Sequence, residues 1–286
     1  MDARFWLIQV FNGVSYGALL FLVGSGLSLI FGVMRIVNLS HGSYFLLGGY
    51  VALSVIWTTG SWVLSLPIAA LAIAMIGLLM ERIFLRPLGF DPLRQVLLTV
   101  GFAFLFQQAA LDIWTGNNFD INPPDVLTQS VAVGGIYLPL YRVFMIAAAL
   151  VIGSSLWLAM EKTRMGAAVR ATVDDAQMAR GVGIDTSRIS MFVFGLGAFL
   201  AALGGVIGGA FLGIYPGLDF EILPIAFAVV IIGGMGSLGG AAIGALLVGL
   251  ADNFGKALFP EVSYFTLYAP MALILAIRPT GLFGRE

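Results

Sequence analysis

Apolar runs, separated by short polar or Gly/Pro-rich gaps, fill this chain almost from end to end. Nine stand out, at roughly 5–31, 41–57, 62–81, 95–114, 139–160, 189–213, 220–235, 238–258 and 264–278. A helix crosses hydrocarbon in about 20 residues, so most of these runs are long enough to span a bilayer. The second, seventh and ninth are short, and the pattern predicts eight to ten crossings. The first run is longer than a signal-peptide core and no small-residue cleavage site follows it, so it reads as a retained span. One stretch breaks the rhythm. Residues 161–188 hold Glu161, Lys162, Arg164, Arg170, Asp174, Asp175, Arg180, Asp185 and Arg188, a polar island between two apolar runs.

Composition agrees with the pattern. Only 10% of the 286 residues are charged and 60% are hydrophobic, against about 25% charged in ordinary soluble domains. Lys or Arg at the centre of a membrane helix costs about 2.5–3.5 kcal/mol, so a chain solvated mainly by lipid must be poor in charge. The expected fold class is all-α, a polytopic transmembrane helix bundle forming one domain over 1–286, with a short helix on one face. Net charge is −1, which gives no reason to expect nucleic acid or a polybasic lipid anchor. With no cysteine, disulfides, thiolate metal sites and a Cys nucleophile are excluded.

The basic residues test the alternation of sides. Arg35, then Arg82, Arg86 and Arg94, then Lys162, Arg164, Arg170, Arg180 and Arg188, and finally Arg278 and Arg285 fall on one set of loops, 11 of the 14 Lys and Arg. The opposite loops, 58–61, 115–138, 214–219 and 259–263, hold none. The positive-inside bias places 82–94, 161–188 and the C-terminus in the cytoplasm and the N-terminus outside. An extra crossing near 30–45 would reverse the N-terminus. The outer loop 115–138 contains two short apolar stretches around Gly134 and Gly135, which read as a hairpin. It is either a lid or docking edge, or a plain connection.

Glycine pairs four apart, such as Gly13 and Gly17, Gly204 and Gly208, and Gly236 and Gly240, give helices a groove for a neighbour. They indicate packing and name no substrate. Two places resemble broken helices: 38–43 with Gly48 and Gly49 after it, and 233–240. Unwound backbone at membrane depth is tolerated only inside protein or along a water-filled path, and such breaks often form transporter sites. Asn38, Ser40, His41, Gly42, Gly49, Gly233, Gly234 and Gly236 are therefore candidates to line a path. Tight turns at the membrane surface are the alternative. The lone His41 is expected to satisfy backbone groups at a helix start. Asn12, Ser15, Gln107 and Gln108 have interhelical hydrogen bonding as their default role. Asp252 and Asn253 sit near a span end. No charge cluster lies at the centre of any span, which argues against a proton relay and suits a neutral or zwitterionic cargo.

Within the island, Thr172 to Asp175 reads as a helix start, Asp174 to Arg180 as about two turns, and Gly181 with Gly183 as the stop. Ala171, Ala176 and Ala179 give that helix a small-residue face that a partner's groove can grip.

The run RMGAAVRATVDDAQMARGVGID resembles the cytoplasmic coupling loop of bacterial ABC-importer permeases for hydrophobic amino acids. FGVMRIVNLSHGSYFLLGGYVA, GGMGSLGGAAIGALLVG and RPTGLFG resemble further motifs of the same family, in the same order. The likeness is to the first of two homologous types of branched-chain amino acid permease subunit. One departure is visible: the residue after His41-Gly42 is often acidic in that family and is Ser43 here. The resemblance implies half of a pore in the bacterial inner membrane, paired with a second homologous permease. It implies two cytoplasmic ATP-binding subunits, a periplasmic substrate-binding protein and amino acid or amide cargo. It assigns the coupling contacts to Arg170, Asp174, Asp175, Ala176, Ala179, Arg180 and Gly183. This chain has no Gly-x-x-x-x-Gly-Lys-Ser/Thr run, so no cofactor is expected on it and ATP would be used by its partners.

Three other readings are weaker. A urea or short-amide permease shares the motifs. A stand-alone secondary transporter or channel would not need the coupling loop. An intramembrane enzyme built on Ser40, His41 and Ser43 lacks residues for nucleophile, base and oxyanion donors in one geometry.

Overall fold

A computed structural model describes residues 3–89, 91–133 and 135–284, and is helical nearly throughout. The apolar runs become α1 (Ala3–Met34), α2 (His41–Thr59), α3 (Trp62–Met80), α4 (Pro92–Trp114) and α5 (Leu140–Lys162). After the polar island come α8 (Thr186–Leu212), α9 (Leu218–Gly233), α10 (Leu238–Leu258) and α11 (Ser263–Ile277). Six of these, α1, α3 with its extension, α4, α5, α8 and α10, are long and apolar enough to cross a membrane. The chain is an all-α polytopic bundle. α3 continues through a π turn at Glu81–Leu85 and a 3-10 turn at Arg86–Leu88.

The bundle is ordered by burial. α1 and α8 are mostly enclosed, whereas α4 and α5 are mostly exposed. α1 packs on α8 and α10, and α2 packs on α8 and α3. The rim carries exposed Leu71, Leu97, Leu105 and Leu150, an arrangement that suits lipid and would be a liability in water. Small residues set the inner seams. A Cβ built on Gly48 of α2 would lie 2.5 Å from the Cα of Ala202 in α8, so these helices meet backbone to backbone.

Some polar residues bond between helices and others within one. Arg142 donates to Asn12 Oδ1 at 2.6 Å, linking α5 to α1, and Asn253 donates to the Gln9 carbonyl at 2.9 Å, linking α10 to α1. Ser15 instead bonds within α1 to the Asn12 carbonyl, and Gln108 bonds Asp112 one turn along α4.

The expected hairpin is present. β1 (Ser130–Val133) pairs antiparallel with β2 (Ile136–Pro139), Val133 facing Ile136. Gly134 lies outside the described residues, and Gly135 adopts φ +80°, the left-handed region such turns need. Arg4 at the start of α1 approaches Gly135, which puts the start of α1 and the hairpin on one side. Phe119 and Ile214 exchange two backbone hydrogen bonds, 2.8 and 2.7 Å, and so pin this loop to the α8–α9 connection.

Several expectations change. The island holds two helices, α6 (Arg164–Asp174) and α7 (Ala176–Gly181). Thr172 lies inside α6, its hydroxyl bonding the Ala168 carbonyl, so it starts nothing. Asp219, assigned to an outer loop, belongs to α9 and is buried. Gly48 and Gly49 sit inside an unbroken α2.

Candidate functional site

Two regions of the candidate residues differ in character: a buried polar connection and an exposed segment, α6–α7. The connection 35–40 follows α1. Asn38 Oδ1 accepts from the Ser40 amide at 3.1 Å and from its hydroxyl at 2.7 Å. Ser40 occupies the cap position of α2, but its hydroxyl turns back to Asn38 and does not cap the helix. His41 Nε2 lies 3.0 Å from the Val23 carbonyl, so that nitrogen carries the proton and the ring ties α2 to the middle of α1. Asn38, Ser40 and His41 are all fully enclosed. Ser43 Oγ donates to Asp219 Oδ2 at 3.0 Å. At Ser43 this chain thus has a hydroxyl bonded to a carboxylate supplied by α9.

The remaining path candidates are packing positions. A Cβ on Gly42 would collide with the Asp219 carbonyl, and one on Gly49 would lie 2.6 Å from Ile214 Cδ1. Gly233 ends α9 against Gly240. Gly234 and Gly236 take φ +99° and +80° in the turn to α10. The eight candidates therefore sit in a hydrogen-bonded connection, in helix crossings and in one tight turn. Two cavities of 420 and 510 Å³ are lined by other residues.

That turn is held from afar. The amides of Leu282 and Phe283 donate to the carbonyls of Ile232 and Gly233, both at 3.0 Å. The last carbonyls of a helix have no partner within it, and here the RPTGLFG tail supplies two donors from 50 residues downstream. Val173 of α6 reaches the same place. A Cβ on Gly32 or Gly236 would lie 3.6 or 3.7 Å from its methyl groups. The island thus touches the end of α1 and the α9–α10 turn together.

On the exposed side, Asp175 is the hinge between α6 and α7. Its carboxylate accepts from the amides of Gln177 and Met178 at 2.8 and 2.9 Å. Hydrogen bonds from Met178 and Gln177 hold this carboxyl below its ordinary range. Arg170 bonds the Met160 carbonyl and lies 3.7 Å from Glu161, so it fastens α6 to the end of α5. Ala179 faces inward and is buried. Arg180 bonds back to the Ala176 carbonyl at 3.1 Å, Asp174 is exposed, and Gly183 has φ +90° in the exit turn. Of the seven coupling candidates, Asp174, Asp175, Arg180 and Gly183 are exposed, whereas Ala179 is enclosed and Arg170 and Ala176 are half-buried. Two residues that a charge-led reading missed are the most exposed apolar side chains of the segment: Met178 at 66% and Val182 at 72%. Their four-residue spacing in a polar stretch is the signal that could have found them.

Comparison with known proteins matches this arrangement to a family. A family model described as "Branched-chain amino acid transport system / permease component" covers residues 9–275. The chain is 28% identical over 295 residues to the high-affinity branched-chain amino acid transport system permease protein BraD of Pseudomonas aeruginosa, covering 98% of this chain and 96% of that one. It is 30% identical over 298 residues to LivH of Escherichia coli, which carries the same description, with the same coverage. The autoinducer 2 import system permease protein LsrC of Salmonella paratyphi B is 27% identical over 261 residues, covering 88% of this chain and 72% of that one. A match running through nine apolar helices and the inner segment alike is a match of the whole architecture, and this chain belongs to the family of branched-chain amino acid transport system permease components.

Proposed function

We propose that the chain builds half of the path by which an ABC importer moves branched-chain amino acids into a bacterium. The observation that carries this reading is the α6–α7 segment, presented on the basic face and touching, through Val173, two places where long helices end. The helix order and the positive-inside bias support nine crossings with the N-terminus outside. The chain sits in the inner membrane beside a second, homologous permease. Two ATP-binding subunits grip the α7 faces of the pair. Met178 and Val182 enter an apolar groove on the ATPase, and Asp174, Asp175, Arg180 and Gly183 border it. A periplasmic binding protein delivers cargo at the hairpin side. Closure of the ATPases moves α7, and α6 passes that motion to the ends of α1 and α9, which shifts the bundle between outward and inward access. Chemistry stays in the ATPases.

The test is reconstitution of the whole assembly in proteoliposomes. ATP-dependent uptake of leucine, absent when the ATPases are omitted, is the expected result. Uptake of urea without leucine would reject the cargo. Ion-driven uptake by this chain alone would reject the importer.

A further inference from the structure

Beside the start of α9, on the face opposite the inner segment, lies a cavity of 510 Å³ walled by α1, α9, α10 and α11. Its size falls in the roughly 300–1,000 Å³ range of small-molecule sites. Its lining divides by chemistry. Leu218, Ile222, Ile225 and Leu267 give an apolar floor. Lys256 and Asp252 form an ion pair at 2.7 Å, with Asp252 10% exposed and Lys256 63% exposed at the side-chain level. The Lys256 ammonium also stands 5.7 Å from the ring centre of Tyr16. Glu221, which lines the same cavity, accepts a 2.8 Å hydrogen bond from Tyr215. The ion pair is neutral, so Glu221 leaves the cavity one negative charge in excess.

We propose, resting on the importer reading above, that this cavity is the outer docking site for cargo, and that it takes a free α-amino acid with an apolar side chain. The cargo carboxylate bonds Lys256, which is partly released from Asp252. Its ammonium bonds Glu221, the group without a cation of its own in the ion pair. Its side chain lies on the four aliphatic residues. Both charged ends meet an opposite charge while the apolar end leaves water, so a molecule missing either charged end loses one charge-assisted bond.

The absence of cysteine from this chain makes the test direct. In the reconstituted assembly without binding protein, Ser263→Cys at the cavity wall is labelled with an impermeant maleimide and read by mass on this chain. A site of millimolar Kd is nearly full at about 20 mM leucine, so leucine should slow labelling by about tenfold. Leucinol, without the carboxylate, and isovalerate, without the ammonium, should not slow it. Adding Glu221→Gln or Lys256→Met should raise the leucine concentration needed by about tenfold or more. Equal labelling with and without leucine overturns the site. So does slowing by cargo-free binding protein alone, which makes the cavity a protein contact, or by phosphatidylethanolamine alone, which makes it a lipid headgroup pocket. ATP-driven leucine uptake by the wild-type assembly is measured in parallel. If uptake occurs and protection does not, the site is wrong and the function stands. If urea is carried and leucine is not, the function itself falls.

Discussion

Gly48→Ala separates helix propensity from packing. Two effects oppose one another. Replacing Gly by Ala in a helix interior gains at most about 0.8–1 kcal/mol from propensity. Against that, the new methyl carbon would lie 2.5 Å from Ala202 Cα and 2.6 Å from its carbonyl oxygen, where ordinary contact begins at 3.4 Å. Neither obstacle is a flexible side-chain tip. α2 and α8 must therefore part by about 0.9 Å. A gap of that size forfeits about a quarter to a half of each atom pair's attraction, itself about 0.1–0.2 kcal/mol. Summed over the seam, with the strain of the displaced backbone, the loss is about 2 kcal/mol, the middle of the range of about 1–3 kcal/mol for overpacked cores. Packing wins, and the net destabilisation is about 1 kcal/mol or more. Gly101 on exposed α4 is the control, since a Cβ there meets nothing within 4 Å. Thermal unfolding of the purified assembly in one detergent compares the two. Gly48→Ala should lower Tm, and Gly101→Ala should leave it level or raise it. A Gly48→Ala variant as stable as wild type would refute the backbone-to-backbone seam.

Three further outcomes follow from the geometry. Asp175→Ala removes the cap of α7 and should reduce ATP-driven uptake severalfold, while Asp175→Asn, which keeps the acceptor oxygen, should retain most of it. Because the folded carboxyl is held below its usual value of about 3.9, its contribution is fully present above that pH and is lost only as pH falls through the lower folded value. Uptake measured from pH 5 to 8 should show no titration from this group. Leu282→Pro deletes the amide that bonds the Ile232 carbonyl and strands a buried acceptor, which costs about 1–3 kcal/mol; a Tm equal to wild type would show that the tail bond is dispensable. Finally, single cysteines at Met178 and Tyr137, both well exposed, should react with an impermeant thiol reagent only from the cytoplasmic and only from the outer side respectively. Reaction of both from one side would overturn the nine-crossing topology.

Much of the fold was legible because lipid enforces it. Runs of apolar residues had to become helices, since the backbone has no other partner in hydrocarbon, and the nine expected runs agree with the nine long helices of the described residues to within a few positions. The hairpin was legible from its paired glycines. The island was less so. In water local sequence competes with tertiary contacts, and Thr163 caps α6 nine residues before Thr172, the expected start. The candidate path residues look like helix breaks in the sequence. Sequence cannot tell a break exposed to a channel from one filled by a neighbour, and here Asp219, Ile214 and Gly240 fill the space beside them. The outer cavity was not legible at all. Tyr16, Glu221 and Lys256 come from separate parts of the chain, and no local pattern joins them.

The strap across the end of α9 has a bearing on biogenesis. Synthesis at about 5–20 residues per second leaves about 3–10 s between the emergence of Ile232 and that of Leu282, the residue whose amide completes it. For that interval the C-terminal end of α9 has two bare acceptors, and two more hydrophobic segments, α10 and α11, must be made before they are closed. That end of the bundle is thus sealed late, by a latch translated after the parts it fastens.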